Sequence, residues 1–134
     1  VDGVTYVDDS KATNLAALVA GVTMAGRPVR LIAGGILKER NLAVAKKILA
    51  TRVRRVYIIG RDSQIMADAW GRLVSCVQCT DLEAAVWRAR KEATSGEVIL
   101  LSPGCASFDQ FKNFEDRGRR FQEIVRRIQR GTVQ

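Results

Sequence analysis

Short apolar runs alternate with longer periodic segments along the whole chain. Val4 to Val7 predicts a strand, followed by a polar stretch from Asp8 to Thr13. Asn14 to Met24 predicts a helix, with Asn14 as N-cap and Gly26 beyond its end. Val29 to Ala33 predicts a strand that runs into Gly34-Gly35. Leu42 to Ala50 has a helical period, and Arg55 to Ile59 reads as a strand ended by Gly60. Ser63 to Trp70 predicts a short helix and Leu73 to Val77 a short strand. Asp81 caps a helix running to about Ala93, with Glu83 and Glu92 at its two ends. Glu97 to Leu101 predicts a strand, stopped by Ser102-Pro103-Gly104. Phe111 to Gln129 predicts a long final helix, broken near Gly118, with Ser107 as a candidate cap.

Strands that alternate with helices imply a parallel sheet covered on both faces. Val29 to Ala33, Val56 to Ile59 and Val98 to Leu101 are continuously apolar, as strands buried on both faces require. The predicted fold class is therefore α/β. It is a three-layer, Rossmann-like sandwich with a mostly parallel sheet and right-handed crossovers. The 134 residues, 47% of them hydrophobic, form one domain, 1–134, which buries roughly two-thirds of its unfolded surface. No linker, repeat or low-complexity tract interrupts it, and no apolar run approaches the ~20 residues of a membrane span. Val1-Asp2-Gly3 shows neither the basic cluster nor the apolar stretch of a leader, and the absence of an initial Met predicts a processed or excised piece.

Charge changes this picture little. The net charge is +8, from 22 basic and 14 acidic residues, which admits an anionic ligand or nucleic acid. The densest stretch holds Arg117, Arg119, Arg120, Arg126, Arg127 and Arg130, interleaved with Phe121, Ile124, Val125 and Ile128. That is the spacing of an amphipathic helix with a solvated polar face. Aromatic residues make up only 6% and supply no stacking platform within the run, so no nucleic-acid partner is expected.

Missing residue types exclude more chemistry. With no His, the chain contains neither a Ser-His-Asp nor a Cys-His catalytic set. Cys76 and Cys79 form a C-x-x-C pair, but only Cys105 remains to complete a metal-ligand set. A redox pair usually opens a helix, whereas this one straddles a short strand and the loop before Asp81. The expected metal ligands are none, and the odd cysteine count predicts a reducing compartment.

In an open parallel sheet, ligands bind outside the carboxyl ends of the strands. Four segments leave the predicted strands there: Asp8 to Asn14, Gly34 to Lys38, Gly60 to Ser63, and Ser102 to Asp109. Small residues expose backbone N–H groups. Lys11, Lys38 and Arg61 add positive charge, and the last segment adds hydroxyls. Each piece has an ordinary explanation: a solvated loop lysine, a tight glycine turn, a helix stop. Gathered on one edge, they predict a site for an anion with carboxylate or phosphate groups. No G-x-G-x-x-G or G-x-x-x-x-G-K-[ST] phosphate motif is present.

Two motifs go further. Asp9 to Asn14 reads DSKATN, and Ser102 to Gly118 reads SPGCASFDQFKNFEDRG. Together they resemble the C-terminal domain of the Mur ligases, of the D-glutamate-adding type, over essentially the whole chain. The first motif is shared with other Mur ligases and with folylpolyglutamate synthetases; the second is long and specific.

The resemblance implies the C-terminal amino-acid-binding domain of a three-domain ligase of the bacterial cytoplasm, active in peptidoglycan synthesis. The absent domains would hold UDP-N-acetylmuramoyl-L-alanine, ATP and magnesium. The implied reaction activates the substrate carboxylate as an acyl phosphate, which the D-glutamate amine attacks. By motif position, Thr13 and Lys38 would hold the α-carboxylate of D-glutamate. Ser107, with the backbone near Phe114, would hold its side-chain carboxylate, and Phe108 would pack beside it. Lys11, the implied catalytic residue, would face the transferred phosphate, and Asp9 the nucleotide. The chain departs from the family at Gly34-Gly35-Ile36-Leu37-Lys38-Glu39, where relatives often carry Asp before the basic residue and Gly after it. Two other readings compete: a neighbouring ligase adding a different amino acid, and a stand-alone module for polyanions.

Overall fold

A computed structural model of the chain describes residues 3–131. Its elements run β1 (Thr5–Asp8), α1 (Leu15–Ala25), β2 (Val29–Gly34), a 3₁₀ turn (Leu42–Ala45), α2 (Lys46–Arg52), β3 (Val53–Ile59), α3 (Ser63–Trp70), β4 (Ser75–Gln78), α4 (Leu82–Glu92), β5 (Val98–Leu101) and α5 (Phe114–Gln129). The five strands form one sheet in the order β1-β5-β2-β3-β4, and every pairing is parallel. The α/β sandwich read from the strand–helix alternation is thus the observed architecture.

The two faces follow from strand pleating, which sends alternate side chains to opposite sides. Leu31, Ala33, Val56, Ile58 and Leu100 point to one face, where they meet Leu18 of α1, Leu49 of α2 and Trp70 of α3. Ile32, Tyr57, Ile59, Ile99 and Leu101 point to the other, against Val86 of α4 and Phe121 and Ile124 of α5. The Trp70 indole N–H donates to the Leu42 carbonyl at 3.0 Å, which fastens the 3₁₀ turn to α3.

Several elements differ from the sequence reading; β3, for one, begins at Val53 and not at Arg55. The segment after β2 enters its helix through the 3₁₀ turn at Leu42–Ala45, not as one α-helix from Leu42. The strand expected at Leu73 to Val77 starts at Ser75, because the Leu73 and Val74 amides still bond the Trp70 carbonyl. The last helix starts at Phe114, not Phe111. Asn113, not Ser107, is its cap, and its side chain accepts from the Asp116 N–H at 2.8 Å. That helix is not broken at Gly118. The glycine lies inside α5, where a Cβ would come within 2.9 Å of Asp8 Oδ2. It lets the helix approach β1.

The amino end of the sheet is held by a polar network remote from the carboxyl edge. Arg30 donates to Glu97 at 2.8 Å and to the Tyr57 hydroxyl at 3.1 Å, and that hydroxyl donates to Glu92 at 2.6 Å. Arg55 pairs with Glu92 at 2.8 Å. Burial, helped by the Glu92 carboxylate, pushes the Tyr57 hydroxyl up to about 12. Burial also works against the charged form of Glu97, but the Thr94 N–H and the Arg30 guanidinium outweigh it and hold the carboxyl below its ordinary 4.5. Glu92 is lowered in the same way: burial is outweighed by the Tyr57 hydroxyl and Arg55.

A carboxyl lowered by folding contributes stability above its unfolded value and loses it as pH falls through its folded value. Unfolding free energy, measured by denaturant titration, is therefore expected to fall as pH drops below 4.5. Glu97→Gln should flatten that fall. Identical pH profiles for the two proteins would contradict the assignment.

Candidate functional site

β1, β2, β3 and β5 release their chains at the carboxyl edge, and short hydrogen bonds tie the outgoing loops together. The Asp9 N–H donates to the Leu101 carbonyl at 2.7 Å, and Ser102 Oγ donates to Asp9 Oδ2 at 2.9 Å. The Gly104 N–H donates to the Ala12 carbonyl at 2.8 Å. The loops carrying DSKATN and SPGCAS therefore lie side by side. Asn14 closes the first by capping α1, accepting from the Ala17 N–H at 2.8 Å.

The loop after β2 joins them through glycine geometry. Gly34 and Gly35 have φ of 120° and 136°, a region disfavoured for residues with a Cβ. A Cβ at Gly34 would run into the Ile59 carbonyl, and one at Gly35 into the Ala106 carbonyl. That close approach lets Ile36 and Ala106 exchange hydrogen bonds of 2.9 and 3.0 Å. The Leu37 N–H donates to Asp62 Oδ2 at 2.7 Å, and the Leu15 N–H to Glu39 Oε2 at 2.7 Å.

Lys11 and Lys38 are exposed and form no ion pair among the described residues. Arg61 behaves otherwise. Expected to add positive charge to the edge, it is exposed but pairs with Asp62 at 3.0 Å. The Arg61 guanidinium and the Leu37 N–H hold the Asp62 carboxyl below its ordinary value. Thr13 is half-buried beside the start of α1. Ser107 is 2% exposed, and its hydroxyl has no hydrogen-bond partner among the described residues, while its carbonyl accepts from the Gln110 and Phe111 amides. Phe108 and Phe114 are exposed, at 67% and 39%. Asp9 and Lys11 line a cavity of about 760 Å³ that runs along Ala17, Ala20 and Met24 of α1. Lys11 and Phe114 line a neighbouring one of about 310 Å³.

Arg117 corrects the reading of α5 as a helix with all its arginines solvated. Arg119, Arg120, Arg126 and Arg130 are exposed, but Arg117 is 1% exposed and lies at the centre of the loop cluster. Its guanidinium donates to Ser10 Oγ at 3.0 Å, the Ser10 carbonyl at 2.7 Å and the Cys105 carbonyl at 3.1 Å. Ser10 Oγ in turn donates to the Phe114 carbonyl at 2.6 Å. Burial pushes Arg117 down to about 10. The same surroundings push the Cys105 thiol up to about 12, again through burial. Cys76 and Cys79 are half-buried in and just after β4, and burial raises both thiols as well, so at neutral pH they are protonated. Among the described residues no cluster of three or more His, Cys, Asp or Glu side chains has metal-binding geometry.

A parallel sheet whose carboxyl-edge loops carry two ammonium groups and a serine hydroxyl, all unpartnered among the described residues, has the layout of a ligand-binding domain of the Rossmann-like α/β class. The relatives make the class particular. The chain belongs to the Mur ligase family: residues 1–105 match the family model described as Mur ligase, glutamate ligase domain. It is 42% identical over 132 residues to the UDP-N-acetylmuramoylalanine–D-glutamate ligase of Pseudomonas fluorescens Pf-5, covering 96% of this chain and 30% of that protein. It is 43% identical over 125 residues to the enzyme of the same name from Myxococcus xanthus, covering 93% and 28%. The chain thus spans under a third of the length of these relatives. Among solved structures, the bifunctional folylpolyglutamate synthase/dihydrofolate synthase of Yersinia pestis has the same fold, with TM-score 0.56 and 21% identity, over 84% of this chain and 27% of that one.

Proposed function

We propose that the chain is the amino-acid-binding domain of an ATP-dependent ligase that adds D-glutamate to UDP-N-acetylmuramoyl-L-alanine in peptidoglycan synthesis. One observation carries the reading: Thr13, Lys38 and Ser107, whose side chains have no hydrogen-bond or ion-pair partner among the described residues, sit on three segments that hydrogen bonds draw to one edge. Similarity to ligases named for D-glutamate supports the substrate.

In this reading Lys38 offers a compact charge with three donors to the α-carboxylate, and Thr13 fixes its orientation. The Ser107 hydroxyl, with the backbone near Phe114, receives the side-chain carboxylate, and Phe108 packs beside it. Lys11, at the mouth of the larger cavity, fits a transferred phosphate, and Asp9 fits the nucleotide. Magnesium would be held with ATP by the rest of the ligase, where it would offset phosphate charge. The amine must meet an acyl phosphate across a closed cleft, and this chain supplies one wall of it. The isolated chain is therefore expected to bind without catalysing.

Amide NMR titration with D-glutamate, with L-glutamate as control, tests this. Millimolar binding corresponds to ~4 kcal/mol, so the ligand is taken to high concentration. Shifts centred on Thr13, Lys38 and Ser107, larger for the D form, are expected. Equal responses to both forms, or none at these residues, would overturn it.

A further inference from the structure

We propose that Glu39 is a positioning residue that latches the Lys38 loop onto α1 and so sets the spacing between Lys38 and Thr13. The inference rests on the reading of these two residues as the carboxylate clamp.

Lys38 lies between two pinned neighbours. On one side the Leu37 N–H is held by Asp62 Oδ2, and on the other Glu39 Oε2 is held by the Leu15 N–H, both at 2.7 Å. The loop stem is pinned as well, through the Ile36 and Ala106 exchange. Lys38 itself is left with a free, exposed side chain carried on a loop that is fixed at both flanks. The Glu39 bond spans 24 positions in the chain and lands on the first residue of α1, two after Thr13. Among the described residues it is the only hydrogen bond between the DSKATN segment with the start of α1 and the loop that follows β2.

The bond is not needed to begin the helix. Asn14 already caps α1 through the Ala17 N–H, and Glu39 takes a different first-turn amide, that of Leu15. The positive end of α1 favours a carboxylate there. Its effect is to join directly two segments that, among the described residues, otherwise share hydrogen-bonded neighbours only in the loop after β5.

The experiment is the D-glutamate titration of the 134-residue chain, read at the Ser107 amide, which lies on a different segment from the substitution. Glu39→Ala removes the latch and is expected to weaken binding about tenfold, the cost of leaving the loop to be ordered by the ligand. Glu39→Gln keeps an oxygen acceptor for the Leu15 N–H and is expected to bind within about threefold of the parent. A purely structural role would shift the melting temperature and leave the dissociation constant alone.

If the parent chain does not bind, the amino-acid reading falls and takes this inference with it. If the parent and Glu39→Ala bind equally, the latch falls while the amino-acid reading stands. Tighter binding by Glu39→Ala would make Glu39 a rival of the ligand, and equal weakening in the Ala and Gln variants would make its charge the agent. Either result overturns the latch.

Discussion

Arg117→Met is expected to lower the free energy of unfolding by about 2–4 kcal/mol, read from the midpoint of a denaturant titration. Among the described residues the guanidinium is the sole hydrogen-bond donor to the carbonyls of Ser10 and Cys105. Methionine fills similar space but donates nothing, so both acceptors lose their partner at about 1–3 kcal/mol each. Part of that loss is offset, because a buried charge no longer has to be desolvated; the same desolvation depresses Arg117 to about 10. Arg117→Lys should fall between the two, since one ammonium cannot span three acceptors arranged around a planar fork. Unchanged stability in Arg117→Met would mean that the charge costs as much as its bonds return. In that event Arg117 would not be what holds the two motif loops together.

Lys38→Ala is expected to weaken D-glutamate binding well over tenfold while leaving the melting temperature unchanged. Removing one charged contact to a carboxylate typically costs ~2–5 kcal/mol of binding. The fold should be indifferent, because the side chain is exposed and pairs with nothing among the described residues. Ser107→Ala should reduce binding in the same assay by a smaller factor, since a neutral donor contributes about 0.5–1.5 kcal/mol. Dissociation constants within threefold of the parent for both variants would remove these residues from the ligand.

Much of the architecture was legible because buried parallel strands are apolar at every position. The runs Val29 to Ala33, Val56 to Ile59 and Val98 to Leu101 stand out for that reason, and Asn14 and Asp81 mark helix starts through a local capping bond. The start of α5 was not legible. Ser107 is a good capping residue and Phe111 an apolar one, yet a turn closing on the Ser107 carbonyl intervenes before Asn113. Arg117 lies in one run with four exposed arginines and the half-buried Arg127, and only the tertiary fold singles it out. The Glu39 bond joins positions far apart in the chain, so no local pattern announces it. Gly118 looked like a helix breaker and is instead a packing requirement, a distinction that depends on what lies opposite. The motifs carried the candidate ligand residues, while the bonds that gather those residues came only from the fold.

The strand order has a consequence for how the chain is made. β2, β3 and β4 are adjacent in space and emerge in that order, so they can pair as synthesis proceeds. β1 emerges first but touches only β5, which emerges last and inserts between β1 and β2. Until β5 has emerged, β1 therefore has no strand of this sheet to join. The two motif segments, at opposite ends of the chain, meet only when β5 closes the gap. Pairings between distant parts of a chain are slow to form, because loop closure must precede the contacts that reward it. The candidate edge is thus the last part of the sheet expected to assemble, and a nascent chain truncated before β5 would hold a half-sheet with the two motif segments still apart.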